Sequence, residues 1–485
     1  MIKVIKMFML ICCSYLAVAE LKAEGLADKI IDKVVDAYGG KSFLDLKSLN
    51  VKDRYKSFRY GQSESPTAVD LVSYRSDNTI DFKGKRKDFK WIRGSSDSFS
   101  IQHQIFDGSQ GYQLNHNLKT LSANSNLTYA SADRRHFYYL DTVLAVLLNE
   151  NRASVKLLGK ENSLAKLVLT ISGYEELTLY INEQTGLIEK MSKAYWQAGK
   201  FFIYNYSDIK QQKGVSYAAS TYVTRGGQPY MISVARELTI NPNIADDFIL
   251  PRNYKENTPT LSFDEMIVEK LADNIYLAGK DWGFSIFLDA GDYFIGTGGY
   301  EELARRFSAV QKFSGSNKPL KYQVVSHHHN DHLGGMKEAN ELGVNFITVK
   351  EHQAIIEELA GATIEKSRVT LVESKASFAD GKLQVIDFAS GHATHNLISY
   401  FPQAKLLFTA DMFFSRKVTG SPNGGATLQS LNTRLMKEQF DVDYFAGAHS
   451  GRVLTAKDFD YALHHIDEAK CPADWQICES FSLTK

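Results

Sequence analysis

Apolar residues recur at four-residue steps at Leu26, Ile30, Val34 and Tyr38, and the run stops at Gly39-Gly40. That spacing places one stripe on one helix face, so a helix is predicted there. After it the period shortens to two. Strand-like segments fall at 68–74, 165–171, 177–181, 201–206 and 230–238, with turns at Phe106-Asp107-Gly108 and Gln184-Thr185-Gly186. A single apolar stretch, 140–148, reads as helix. The expectation for this half is a curved antiparallel sheet with a few helices against it.

Beyond residue 260 strands and helices alternate. Strands are predicted at 268–278, 284–288, 293–295, 322–325, 345–349, 383–388, 397–401 and 406–409. Helices are predicted at 300–313, 335–342, 352–359 and 428–438. Alternation of this kind suggests a layered α/β core. Between the halves, Asn241-Pro242, Leu250-Pro251-Arg252 and the polar residues 255–260 lack apolar periodicity. They read as a linker. The predicted organisation is a leader at 1–19, a β-rich domain at 20–252, a linker at 253–262, a layered domain at 263–460 and a C-terminal extension at 461–485.

Composition narrows the class. The 485 residues are 44% hydrophobic and 23% charged, as in ordinary globular proteins. With 56 basic and 56 acidic residues the formal net charge is zero, which disfavours nucleic acid as a partner. Lys3 and Lys6, the apolar run 7–18 and Ala17-Val18-Ala19 read as a cleaved secretory signal, so export to the periplasm is expected. Cys13 follows Leu10-Ile11-Cys12, without the small residue a lipidation site needs. Cys471 and Cys478 would remain after cleavage and are expected to close a disulfide loop around Pro472 and Trp475. Neither has a His or Cys neighbour at metal spacing.

The chemistry concentrates at His327-His328-His329-Asn330-Asp331-His332, where an apolar strand ends at Ser326. In an extended chain residues i and i+2 point the same way, so His327 and His329 can meet one ion while His328 points elsewhere. Asp331 and His332 follow where the chain turns and can reach a second. Leu333-Gly334-Gly335 permits the turn into a helix. Further ligand types stand at other strand ends: His392 or His395 in 391–396, Asp411 after 406–410, and His449 in 447–451. Imidazole and carboxylate donors suit zinc.

These residues resemble the metallo-β-lactamase superfamily over roughly 265–454. The resemblance implies an αββα sandwich holding two zinc ions, with iron or manganese as other occupants. It implies that His327, His329 and His392 hold the first metal, that Asp331, His332 and His449 hold the second, and that Asp411 bridges them. It favours His392 over His395 because the family's ligand directly follows a glycine. It also implies hydrolysis by a metal-bound hydroxide that Asp331 orients as the catalytic carboxylate. Two departures stand out. The family usually has an Asp where Gly296 stands in Phe294-Ile295-Gly296-Thr297-Gly298; Asp289 and Asp292 are candidate substitutes. The other is the additional N-terminal sheet domain. That domain resembles the periplasmic lipoprotein-carrier fold through its opening helix ending in Gly-Gly, the 106–108 turn, and the closing Ile240-Asn241-Pro242 followed by Asp246-Asp247-Phe248.

The reading is therefore an exported dinuclear zinc hydrolase that cleaves an ester, lactone, thioester or amide. Its substrate would be a small or lipid-like molecule, with transient membrane proximity. Trp282, in the loop before Phe284, could wall the pocket. The alternatives are a periplasmic binder of a lipid-like ligand with a degenerate metal domain, and a single-iron dioxygenase on the same scaffold. The substrate, the resident metal and the oligomeric state stay open.

Overall fold

The computed structural model describes residues 25–94, 99–195, 199–466, 470–473 and 475–478. The expected leader at 1–19 lies outside them. The chain divides into two compact units. The first takes the described residues up to Phe58, Leu71–Asn257 and the final described segment. The second takes Arg59–Asp70 and the chain from Thr258 through residue 466. Sequence placed 59–70 wholly in the N-terminal domain, and 68–70 in a strand; the structure groups these twelve residues with the C-terminal unit.

The first unit opens with a helix over 25–37. Ile30, Val34 and Tyr38 are buried as the stripe predicts, whereas Leu26 is exposed and Ile31 and Val35 are buried beside them. Gly39 ends the helix at φ +123°, and a Cβ there would meet the Gly214 carbonyl oxygen at 2.1 Å, so only glycine fits. Tyr38 donates to Asp141 Oδ2 (2.7 Å), and Asp141 Oδ1 accepts from the Ala218 amide (2.9 Å). These bonds tie the first helix and the helix Asp141–Glu150 to the strand Val215–Arg225.

Fourteen strands form one sheet. Its centre is Ser48–Phe58, paired antiparallel with both Leu71–Asp81 and Gln228–Ile240. Antiparallel neighbours follow in chain order on each side, so the topology is largely local. Lys255–Glu256, within the expected linker, instead adds as a short parallel strand to Thr120–Ala123. The final described segment also belongs to this unit. Trp475 is buried against His103 and His116, and the Cys471–Cys478 disulfide closes the loop around it.

The second unit is a four-layer sandwich. A seven-stranded and a six-stranded sheet share a core that includes Leu277, Ile286, Val324, Leu397, Phe401 and Phe408. Helices Leu303–Ser314, Met336–Glu341 and Gln353–Ala360 cover the outer face of the first sheet through Phe307, Met336 and Ile356. Helices Ala426–Glu438 and Ala456–His464 cover the second through Leu431, Leu435, Phe459 and Ala462. Strands covered on both faces are largely apolar, as in Gly283–Asp289, where every residue is buried. The predicted strand 268–278 is two strands, Ile267–Ala272 and Ile275–Lys280, because Asn274 adopts a left-handed conformation (φ 65°) that turns the chain back.

Candidate metal centre

The strand Leu320–Val324 lies parallel to both Phe294–Thr297 and Asn345–Thr348, and Leu406–Phe408 lies parallel to Tyr444–Ala446. Parallel pairing brings strand C-terminal ends to one edge, where the following loops converge. Residues 327–332 follow the first of these strands, Asp411 and His449 follow the other two, and His392 precedes Asn396–Phe401. The Leu397 amide donates to the Ser326 carbonyl (2.6 Å) and joins two of the loops. Ala410 takes φ +49°, and its carbonyl accepts from the Ala448 amide (2.9 Å), fixing the turn into Asp411.

The seven predicted ligand residues meet as two overlapping groups. His327, His329, His392 and Asp411 form one, and Asp331, His332, Asp411 and His449 form the other. Asp411 belongs to both. Its Oδ1 lies 2.7 Å from His332 Nε2 and 3.1 Å from His449 Nε2, and its Oδ2 lies 3.2 Å from His392 Nε2. Asp331 Oδ2 is 3.7 Å from His332 Nε2 and 3.8 Å from His449 Nε2.

Divalent metal fits this arrangement on two counts. His332 Nε2 and Asp411 Oδ1 are buried at 2.7 Å from each other, yet neither has a properly directed hydrogen bond. Buried polar atoms left without a directed partner are costly, and a cation between them would satisfy both. The donor set, five imidazoles and two carboxylates across the two groups, is also a zinc-type set.

The electrostatics agree. Burial, reinforced by charge on His332, holds His327 well below the usual imidazole range, and burial beside His392 lowers His329 to about 3. Burial would raise Asp411, but His332, His392 and His449 outweigh it and hold the carboxyl well below its ordinary value. Asp331 is likewise lowered, with His332 the main force against burial. The two carboxylates thus stay ionised and His327 and His329 stay neutral, as ligands require, whereas Asp411 outweighs burial and raises His332, so that a bound cation would take the place of its proton.

Several other residues take definite places. His395 stays out of both groups and pairs through Nδ1 with Asp387 Oδ2 at 2.7 Å. His328 also stays out; its Nε2 donates to the Ser63 carbonyl (2.8 Å) and its ring packs beside His352. Trp282 stacks on His449 with ring centroids 5.2 Å apart, while 48% of its own surface remains exposed. Gly296 is opposite Gln323 in the parallel pair, and Gln323 Oε1 fills the space a Cβ on Gly296 would need. Neither proposed substitute reaches the centre. Asp289 sits at the other end of its strand, bound to Lys318 Nζ (2.7 Å), and Asp292 is exposed.

Sequence reasoning missed Tyr300, Ser326 and Gln62. The Tyr300 hydroxyl lies 2.6 Å from His449 Nδ1, and burial with nearby Asp331 and Asp411 raises its pKa, so it stays protonated. Ser326 Oγ lies 3.3 Å from His327 Nδ1 and 3.2 Å from His332 Nδ1. Gln62 Nε2 donates to Asp331 Oδ1 (2.9 Å). Tyr300 and Ser326 flank glycines and histidines that drew attention, but nothing in the local pattern marks Gln62.

Residues 294–449 match the family model described as the metallo-beta-lactamase superfamily. Among solved structures, the DIM-1 metallo-beta-lactamase is 16% identical, covers 42% of this chain and 98% of its own, and gives a TM-score of 0.35. A metallo-beta-lactamase from Pontibacter korlensis is 20% identical, with 41% and 98% covered and a TM-score of 0.34. The metallo-beta-lactamase FIM-1 from Pseudomonas aeruginosa, in its mono-zinc form, is 13% identical, with 41% and 93% covered and a TM-score of 0.33.

Proposed function

We propose that the C-terminal domain, a metallo-β-lactamase superfamily domain, is a dinuclear zinc hydrolase acting on an ester, lactone, thioester or amide outside the cytoplasm. The observation that carries this reading is the pair of ligand groups sharing Asp411. His327, His329 and His392 would hold one ion, Asp331, His332 and His449 the other, and Asp411 both. When bound, zinc supplies Lewis-acid polarisation of the scissile carbonyl and acidification of water.

The chain's own groups divide the remaining work. Asp331 is ionised, with Oδ1 held by Gln62 and Oδ2 turned toward His332 and His449, so it can accept a proton from water. Tyr300 keeps its proton and fixes the His449 ring through a hydrogen bond. Trp282 and Phe414 pack against His449 and exclude water from that side. The exposed part of Trp282 offers apolar surface to a substrate's uncharged portion. The Cys471–Cys478 disulfide supports the proposed export, since such bonds persist in oxidising compartments.

The test is a hydrolysis panel on metal-loaded protein, comprising a chromogenic β-lactam, lactones, thioesters, aryl esters and phosphodiesters. Turnover of a carboxylic-acid derivative is expected, together with two zinc ions per chain and a loss of at least about 100-fold in His329→Ala. Less than one metal per chain, or equal rates in His329→Ala, would refute the reading.

A further inference from the structure

The connection Arg59–Asp70 leaves the strand Ser48–Phe58 and returns into Leu71–Asp81, yet it clusters with the metal-binding unit. It is a strap with a fixed shape. Arg59 N donates to the Asp70 carbonyl (3.0 Å), Ser63 Oγ donates to the Arg59 carbonyl (2.6 Å), and the Glu64 amide donates to Asp70 Oδ2 (2.8 Å). Ser63 is 1% exposed.

Four consecutive residues of this strap meet the centre. The Gly61 carbonyl accepts from the Asn330 amide (3.0 Å). Gln62 Nε2 donates to Asp331 Oδ1 (2.9 Å). The Ser63 carbonyl accepts from His328 Nε2 (2.8 Å) and His329 Nε2 (3.0 Å). The Glu64 carbonyl accepts from the Thr394 amide (2.8 Å). Approach is close enough that a Cβ on Gly61, at φ +64°, would overlap the Asn330 side chain at 2.2 Å.

We infer that this strap is a working part of the metal centre, and that Gln62 is the positioning residue for Asp331. The inference rests on the metal-centre reading above. Asp331 has two oxygens and two tasks. Gln62 engages Oδ1, which leaves Oδ2 facing His332 and His449, the other members of its group. A carboxylate free to rotate about its χ2 bond would spend less time in that orientation, and the bond is charge-assisted. Outer partners of this kind set ligand orientation and metal affinity. The effect should be confined to one site, because Asp331 belongs to only one of the two groups.

The experiment titrates the full chain, freed of metal, with Zn2+ and with Co2+, for the wild type, Gln62→Met and Gln62→Ala. Methionine keeps the length of the side chain and removes the donor. Stoichiometry, stepwise affinity and the visible Co2+ spectrum are read. The expected result is that one of two equivalents weakens at least about tenfold in both variants, with a changed Co2+ band for that equivalent, while the other binds as in wild type. Two equivalents bound as in the wild type would overturn the inference alone. Equal weakening of both equivalents would also overturn it, since that indicates general damage. A wild-type chain that takes up no metal overturns the metal-centre reading, and this inference with it.

Discussion

The side-chain oxygen of Gln323 lies 2.4 Å from where a Cβ on Gly296 would be, so the two residues occupy one shared volume. Gln323 is fully buried, and its Nε2 donates to the carbonyls of Gly298 (3.2 Å) and Val324 (3.0 Å). Gly296 is therefore half of a pair, and an acidic residue cannot simply be restored there. Gly296→Asp should destabilise the protein by about 2–4 kcal/mol, through steric overlap and a buried, unpaired carboxylate. Adding Gln323→Ala should recover part of that loss. Urea unfolding of the two single variants and the double variant reads the coupling, and strict additivity would show that the pair is not coupled.

Asp411 offers an oxygen to each ligand group, whereas His449 serves only one. Asp411→Ala should therefore reduce bound metal at both sites and lower turnover at least about 100-fold. His449→Ala should remove one equivalent and leave the other. Metal content after gel filtration checks both, and a matched loss in the two variants would contradict the shared role of Asp411.

Chelation should also lower thermal stability. A ligand present at 100 times its dissociation constant contributes about 2.7 kcal/mol. For a chain of this size that corresponds to a melting shift of several degrees. The shift should disappear in Asp411→Ala, which has little metal to lose. Differential scanning with and without chelator makes the comparison.

His352 predicts a pH dependence. The ring is fully buried, neither nitrogen has a hydrogen-bond partner, and burial, aided by charge on His328 and His395, lowers its pKa to about 3. An unfolded chain titrates the same group near about 6.5. As the pH falls below that value the unfolded state takes a proton that the folded state refuses. Stability is therefore lost as pH falls from about 6.5 toward about 3, by up to about 1.4 kcal/mol per pH unit for this one group. His352→Leu should match or exceed wild-type stability at pH 7, and its advantage should widen on acidification. Urea midpoints at pH 7, 6 and 5 measure it, and parallel curves would refute it.

Tyr300→Phe removes a hydroxyl 2.6 Å from His449 Nδ1 and leaves the edge-on ring contact intact. Activity should fall about tenfold or more, and the metal held by His449 should exchange faster. A Tyr300→Phe protein with wild-type turnover and metal retention would remove Tyr300 from the working site.

Much of the second unit was legible from periodicity, because local pattern encodes local geometry. Largely apolar runs such as 284–288 became strands buried on both faces, and potential ligands at strand ends stood where parallel strands deliver them. Errors came where local and distant forces compete. Residues 268–278 looked like one strand until the turn at Asn274 divided them. Lys255–Glu256 looked like linker because its pairing with Thr120–Leu121 depends on a partner far away in the chain.

By itself, then, the sequence determined the ligand types, their order and their positions at strand ends, since spacing of two and a following glycine turn are properties of the chain locally. The preference for His392 over His395 came from the resemblance and agrees with the grouping; only tertiary structure decided that Gln323 fills the place beside Gly296 and that Gln62 holds Asp331. Gln62 and Asp331 are 269 residues apart. No local pattern carries a contact at that separation, because it forms only when segments far apart in the chain fold into one compact unit.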